Sequence, residues 1–189
     1  PGATGGADQL DRDRCQRRPV EGDRHRAGLR AVGEVHDPLI AAIKERLPQV
    51  VIADGTRPEA LMGPLVTRAH RDRVSSFIDS GEAAGAKVVV DGRDVQADGA
   101  AQGFWLGPTL LDHVGVDMSV YTDEIFGPVL SVVRVESYDD ALELINDNPY
   151  GNGTAIFTND GGAARRFQNE VEVGMVGINV PIPVPVAYH

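Results

Sequence analysis

The run Val129–Val135 constrains this chain more than any other stretch. Val129-Leu130-Ser131-Val132-Val133-Arg134-Val135 is rich in β-branched residues and follows a Gly127-Pro128 break, so it reads as a buried strand. Helical text stands on both sides of it. Downstream, Ser137 offers an N-cap to a helix that carries Ala141, Leu142, Leu144 and Ile145. Upstream, Thr67 begins a helix in which Val74, Phe77 and Ile78 share helical spacing, and which fades over Gly81–Gly85. Lys87–Val90 follows as a strand ended by Asp91-Gly92. Nearer the start, Asp37 suits an N-cap with Pro38 at the first helical position, and Leu39, Ile40, Ile43 and Leu47 mark one face before Pro48 stops the helix. Further strands are expected at Thr154–Thr158 and Gly174–Val180, with a helix from about Gly162 to Val171 between them that turns Ala164 and Phe167 inward. Strands alternating with helices predict an α/β fold with a three-layer sheet.

Composition divides the chain unevenly. Pro1–Arg30 is crowded with Arg, Asp and Gly, lacks Lys, Ile, Phe and Tyr, and has almost no hydrophobic rhythm. Such a stretch buries too little apolar surface to offset the entropy of ordering, so an irregular or disordered N-terminal arm is expected over 1–30. Out-of-frame translation of GC-rich DNA would also yield text of this kind. The regular text, 31–189, is long enough for one domain with a core. With 18 Lys+Arg against 28 Asp+Glu, the net charge of −10 argues against nucleic-acid binding as the main task. The single cysteine, Cys15, leaves no disulfide within the chain, which fits a reducing cytoplasm. No run approaches the length of a membrane span, and no membrane partner is expected.

The stretch with most chemistry is Tyr121–Val129, YTDEIFGPV. Glu124 carries acceptor oxygens able to take two ribose hydroxyls, and Phe126 offers a flat wall for a sugar or ring. The plainer alternative is the start of a strand with one solvated acid. Other candidates are weaker. His36, His70 and His113 lack metal-ligand spacing, so no metal ligand is assigned. The neighbouring acids Asp139-Asp140 and Asp123-Glu124 usually point apart, which argues against a two-carboxylate hydrolase. Gly151-x-Gly153 precedes a strand and lacks the longer glycine pattern of a dinucleotide fingerprint. Trp105 is expected in core packing. Asn179 suits either an active-site mouth or turn hydrogen bonding. Pro181-Ile182-Pro183-Val184-Pro185 should be extended.

Glu124-Ile125-Phe126-Gly127-Pro128-Val129 resembles the E-x-F-G-P-V signature of the aldehyde dehydrogenase superfamily. Leu61–Leu65, with Met-Gly-Pro-Leu, and Gly103–Leu110 resemble other segments of that superfamily, and the likeness runs from about Val35 to His189. It implies an aldehyde dehydrogenase-like catalytic domain, present in part. In it Glu124 would hold the nicotinamide-side ribose of NAD and Phe126 would pack beside it. Two segments resemble the methylmalonate-semialdehyde dehydrogenase branch: Asn148–Thr158, NPYGNGTAIFT, and Gly174–Val186, GMVGINVPIPVPV. Members of that branch are CoA-acylating. The resemblance therefore implies NAD as cofactor and coenzyme A as co-substrate. Methylmalonate or malonate semialdehyde would yield propanoyl-CoA or acetyl-CoA, as in valine and myo-inositol breakdown, in a homo-oligomeric parent.

The same likeness identifies gaps. The family's nucleophile loop, G-(Q/E)-x-C, belongs just before the helix at Pro38, and Cys15 in DRDRCQRRP does not match it. No catalytic residue is assigned. The chain is expected to be a C-terminal catalytic-domain fragment without its NAD-binding domain, with little or no turnover alone. Two alternatives stay open: a non-catalytic remnant that binds or assembles with intact subunits, and a fragment of a hydrolytic aldehyde dehydrogenase.

Overall fold

A computed structural model describes residues 28–95, 97 and 103–181. Cys15, Pro1–Ala27 of the arm and the prolines beyond Pro181 lie outside the described residues.

Four strands form the main sheet: β1 (Gly28–Val32), β2 (Lys87–Val90), β3 (Thr109–Asp112) and β4 (Val129–Val135), in the order β1-β4-β3-β2. β1 and β3 flank β4 in parallel, with Gly28 opposite Ser131 and Thr109 opposite Val129. β2 closes the far edge antiparallel to β3, with an irregularity between Val88 and Val90. The helices are α1 (His36–Arg46), α2 (Arg68–Ala83), the single turn α3 (Ser119–Thr122), α4 (Tyr138–Asn146) and α5 (Gly161–Glu170). No described helix is long and apolar enough to cross a membrane.

Alternation along the central strands explains the three layers. On one face Leu110, Val132 and Ala31 meet Ile43 of α1, joined by Leu39, Ile40 and Leu47. On the other, Leu111, Val129, Val133 and Val135 meet Val74 and Ile78 of α2, Val120 of α3 and Ala141 of α4. β4 is therefore covered on both faces, as its near-continuous apolar text requires. Each Val, Leu or Ile among them, fully buried, is worth about 1.5–3 kcal/mol of transfer free energy.

One expected cap forms, at Ser137, and Thr67, where a helix was expected to begin, also proves to be a cap. Thr67 accepts the His70 N–H, and Ser137 builds a reciprocal capping box with Asp140. Asp37 does not cap. α1 begins two residues earlier than expected, at His36 behind Val35, and Asp37 reaches across to Arg134 at 2.8 Å. His36 Nε2 lies 2.7 Å from the Ala31 carbonyl and 3.0 Å from that of Val135, so the ring ties the helix start to two strand ends. β1 begins at Gly28, inside the stretch set apart by composition. Its ladder partner lies about a hundred residues downstream, so nothing local announces it.

β5 (Gly153–Ile156) and β6 (Met175–Ile178) pair in parallel as a separate two-stranded sheet, linked by α5. Both are shorter than the sequence suggests. At their end Asn179 turns to φ +55°, and its side-chain amide bonds the N–H and carbonyl of Thr158 at 2.8 and 2.9 Å. The amide takes the place of a further ladder rung. Asn179 thus serves the turn, the second of the two roles its position suggested.

Candidate functional site

Helical spacing places His70, Arg73 and Val74 on one face of α2, at i, i+3 and i+4. The loop from Asp123 to Pro128, which joins α3 to β4, is fastened to that face at three points. Arg73 Nη2 donates to the Glu124 carbonyl at 3.1 Å. His70 Nε2 lies 2.7 Å from the Phe126 carbonyl, and because a carbonyl only accepts, Nε2 carries the proton. The His70 and Phe126 rings also meet edge to face, with centroids 6.2 Å apart. Gly127 packs against Val74 so closely that a Cβ there would lie 2.6 Å from Val74 Cγ1. Arg73 is itself steadied by the ring of Phe77, 5.0 Å from its guanidinium carbon.

The loop's own residues divide by direction. Ile125 is buried in the core and anchors the loop from within. Phe126 turns to φ +57°, a left-handed conformation that costs a non-glycine residue about 1–3 kcal/mol. Its side chain is left 52% exposed. Past Gly127, the Pro128 carbonyl accepts the Thr109 N–H at 2.8 Å, which seats the loop at the head of β4 beside β3.

Glu124 and Phe126 are thus brought together, two residues apart on one braced loop. Glu124 Oε1 is buried and has no hydrogen-bond partner among the described residues. A carboxylate oxygen in that state calls for donors from outside the chain. Two residues on, Phe126 leaves its ring exposed as an apolar surface of the same loop. An acceptor-only group and an open aromatic ring on one short loop suit a ligand with paired hydroxyls and a flat ring.

The remaining polar candidates are accounted for structurally. Among the described residues no trio of His, Cys, Asp or Glu is placed to hold a metal ion. His36 is the strand tie described above. His113 sits beside Asp112, with Nε2 3.7 Å from Oδ2. Asp139 pairs with Arg166 at 2.8 Å whereas Asp140 closes the capping box, so these neighbouring acids do point apart. Gly153 opens β5, and Gly151 accepts the Gly174 N–H through its carbonyl. Trp105 is half-buried and packs over Gly103.

Asp112 is a buried carboxylate with a cation beside it. Its side chain is 2% exposed, and Arg134 meets it with Nη2 2.6 Å from Oδ2 and Nε 3.0 Å from Oδ1. Burial pushes the Asp112 carboxyl up, but the hydrogen bonds from Arg134 and from the His113 N–H outweigh burial and hold it below its ordinary value. This pair joins β3, β4 and, through Asp37, α1. It lies away from the loop at Glu124.

Sequence reasoning missed His70 and Arg73 as partners of the loop. Their shared helix face with Val74 is legible, but the groups they bind are backbone carbonyls more than fifty residues away, which no side-chain pattern reveals.

The sequence model of the aldehyde dehydrogenase family matches residues 29–188. A malonate-semialdehyde dehydrogenase of Pseudomonas aeruginosa is 56% identical over 156 residues, which make up 82% of this chain and 31% of that protein. The crystal structure of a methylmalonate-semialdehyde dehydrogenase from Oceanimonas doudoroffii superposes with a TM-score of 0.88 at 41% identity, covering 98% of this chain and 38% of that one. A Sinorhizobium meliloti 1021 structure complexed with NAD gives 0.86 at 43% identity, covering 97% and 38%. The chain spans about a third of the length of these relatives. With a family match from within β1 to beyond β6, a three-layer fold shared with these structures and the E-x-F-G-P-V loop at the head of β4, the chain belongs to the aldehyde dehydrogenase family.

Proposed function

We propose that this chain carries the nicotinamide-ribose side of the cofactor site of a CoA-acylating, NAD-dependent malonate- or methylmalonate-semialdehyde dehydrogenase. The observation that carries the reading is the buried, unpartnered Oε1 of Glu124 on the short loop that also exposes the ring of Phe126. It is supported by the names of the relatives and by the NAD complex among the similar structures. The acylating part rests on the branch-like segments NPYGNGTAIFT and GMVGINVPIPVPV.

The residues present fit the nicotinamide ribose. NAD, when bound, supplies the hydride acceptor for aldehyde oxidation. Glu124 accepts hydrogen bonds from the ribose hydroxyls, which completes its own unsatisfied oxygen. Phe126 closes one side of the ring's site and keeps water from it. The three fastenings to α2 hold both groups without further reorganisation, so that positioning is prepaid in the fold. Neither residue breaks a bond.

In the parent reaction malonate semialdehyde, coenzyme A and NAD+ give acetyl-CoA, carbon dioxide and NADH, and the methyl homologue gives propanoyl-CoA. Valine and myo-inositol breakdown are the settings for such a step, in a homo-oligomeric parent in the cytoplasm. This chain alone is expected to give little or no NADH. Residues 1–30 are read as an arm ahead of the catalytic domain, its last three residues drawn into β1. Sequencing the DNA upstream of codon 31 in all frames tests whether that arm is out of frame.

The direct test is binding of nicotinamide mononucleotide, which carries only the ribose and ring in question. Titrated into the chain, it should shift the amide resonances of Phe126 and Gly127 at millimolar concentration. Glu124→Ala should weaken that binding at least about tenfold, in line with loss of hydrogen bonds to a charged acceptor. No shift up to saturation of the solution, or equal binding by the variant, would overturn the assignment.

A further inference from the structure

His70 and Arg73 are absorbed by nothing so far except the shape of the loop. They come from the first turns of α2, and what they bind on the loop is the carbonyls of Glu124 and Phe126 and the Phe126 ring. Yet the two carbonyls they hold belong to the two residues that face the candidate ligand. The loop between them also carries a conformational burden. Phe126 is left-handed, and without a bond to its carbonyl the peptide that follows is free to rotate toward the broad extended basin that a phenylalanine prefers. Rotation there would swing the ring away and carry Glu124 with it. Gly127 resists from the other side, since its Cα lies against Val74.

We infer that His70 and Arg73 are positioning residues, which act through the carbonyls of Phe126 and Glu124 to lock the loop in the shape that presents the Glu124 carboxylate and the Phe126 ring to a nicotinamide-ribose ligand. The inference rests on the cofactor reading above. His70 does the larger part. Its bond is the shorter at 2.7 Å, it falls on the left-handed residue itself, and its ring adds an edge-to-face contact with the ring it positions. Arg73 secures the other end through a single bond at 3.1 Å, with its guanidinium propped on Phe77. What His70 must supply is one N–H at a fixed height above α2. Glutamine can place an amide N–H at similar reach, and alanine cannot.

The experiment uses the described chain and four variants, His70→Ala, His70→Gln, Arg73→Ala and Glu124→Ala, each with two readouts. The first needs no ligand: the three-bond HN–Hα coupling and carbon shifts of Phe126 report whether its φ stays positive. The second is the dissociation constant for nicotinamide mononucleotide, with thermal midpoints as a control for general damage. His70→Ala should lose the positive-φ signature and bind about fivefold or more weakly, the scale of one well-placed hydrogen bond. His70→Gln should keep the signature and bind within about twofold of the parent. Arg73→Ala should weaken binding about threefold while Phe126 keeps its φ. The midpoints should agree among the variants.

Three results would overturn the inference: an unchanged Phe126 in His70→Ala, a His70→Gln variant as impaired as the alanine, or weakened binding that merely follows a falling midpoint. The two readings fail separately. If Glu124→Ala abolishes binding while His70→Ala and Arg73→Ala bind normally, the positioning role is wrong and the cofactor site stands. If the parent itself binds nothing, the cofactor reading falls, and the positioning role toward that ligand falls with it.

Discussion

The four-stranded sheet and the β5–β6 pair are both parallel at heart, yet they are held by different means. β3 and most of β4 are buried, covered by α1 on one face and by α2, α3 and α4 on the other. Every residue of β5 is half-exposed, and among the described residues Phe167 is the large buried side chain of that smaller unit. What the pair lacks in burial it replaces with polar ties. Asn179 brackets Thr158, and Asn146 donates to the Glu170 carbonyl while accepting the Glu172 N–H. Arg166 stacks on Tyr138 and pairs with Asp139 and Glu170. Exposed polar ties contribute little each, so the smaller sheet should open locally well before the larger one unfolds. The candidate loop is rooted in the stable part: it leaves α3, is braced by α2 and runs into β4.

Three changes would break or sharpen that contrast. The largest effect is expected from Arg134→Ala, which leaves the Asp112 carboxylate buried without its cation and should cost about 3–5 kcal/mol in urea unfolding. It should speed hydrogen exchange throughout β1–β4. It should also alter the acid side of the stability curve. The folded-state pKa of Asp112 lies below its unfolded value, so its contribution is full above about pH 4 and is lost as pH falls through the lower, folded value. The variant should lack that loss; a parallel acid profile would show that the pair is not the origin.

Phe167→Ala should cost about 3 kcal/mol, the usual scale for a buried phenylalanine that the site can relax around. Its exchange effects should stay within α5, β5 and β6. If β3 and β4 exchange faster too, the two sheets form one cooperative unit and the contrast is lost. The smallest effect is expected from Asn179→Ala, about 1 kcal/mol from two exposed hydrogen bonds, seen as faster exchange at Thr158 with the main sheet unaltered.

Much of the larger sheet was legible. Lys87–Val90 and Val129–Val135 stand where their β-branched text places them, Ser137 caps as its spacing demands, and a helix begins at Thr67 as expected. What failed was non-local. Asp37 looks like a cap, but a cation across the sheet outcompetes its own backbone N–H groups. β1 is hidden in arginine- and glycine-rich text because its stability comes from Ser131–Val135 and not from its own composition. β5 and β6 read as members of one sheet, since nothing in a strand's alternation states which neighbour it takes. In the loop, Glu124 and Phe126 were visible by residue type, and the family resemblance implied the role proposed for them. The left-handed Phe126 and its bond to His70 were not, because positive φ at a phenylalanine has no signature in sequence.

The β1–β4 pairing has a consequence for how the chain is made. Gly28 pairs with Ser131, so β1 leaves the ribosome about a hundred residues before the strand that completes it. At ordinary rates of synthesis that is a wait of roughly 5–20 s. During it Leu29, Ala31 and Val32 have neither a ladder partner nor the cover of β4. A nascent chain in that state is a natural client for a holding chaperone, and its vulnerability ends only when β4 emerges and clears the exit tunnel.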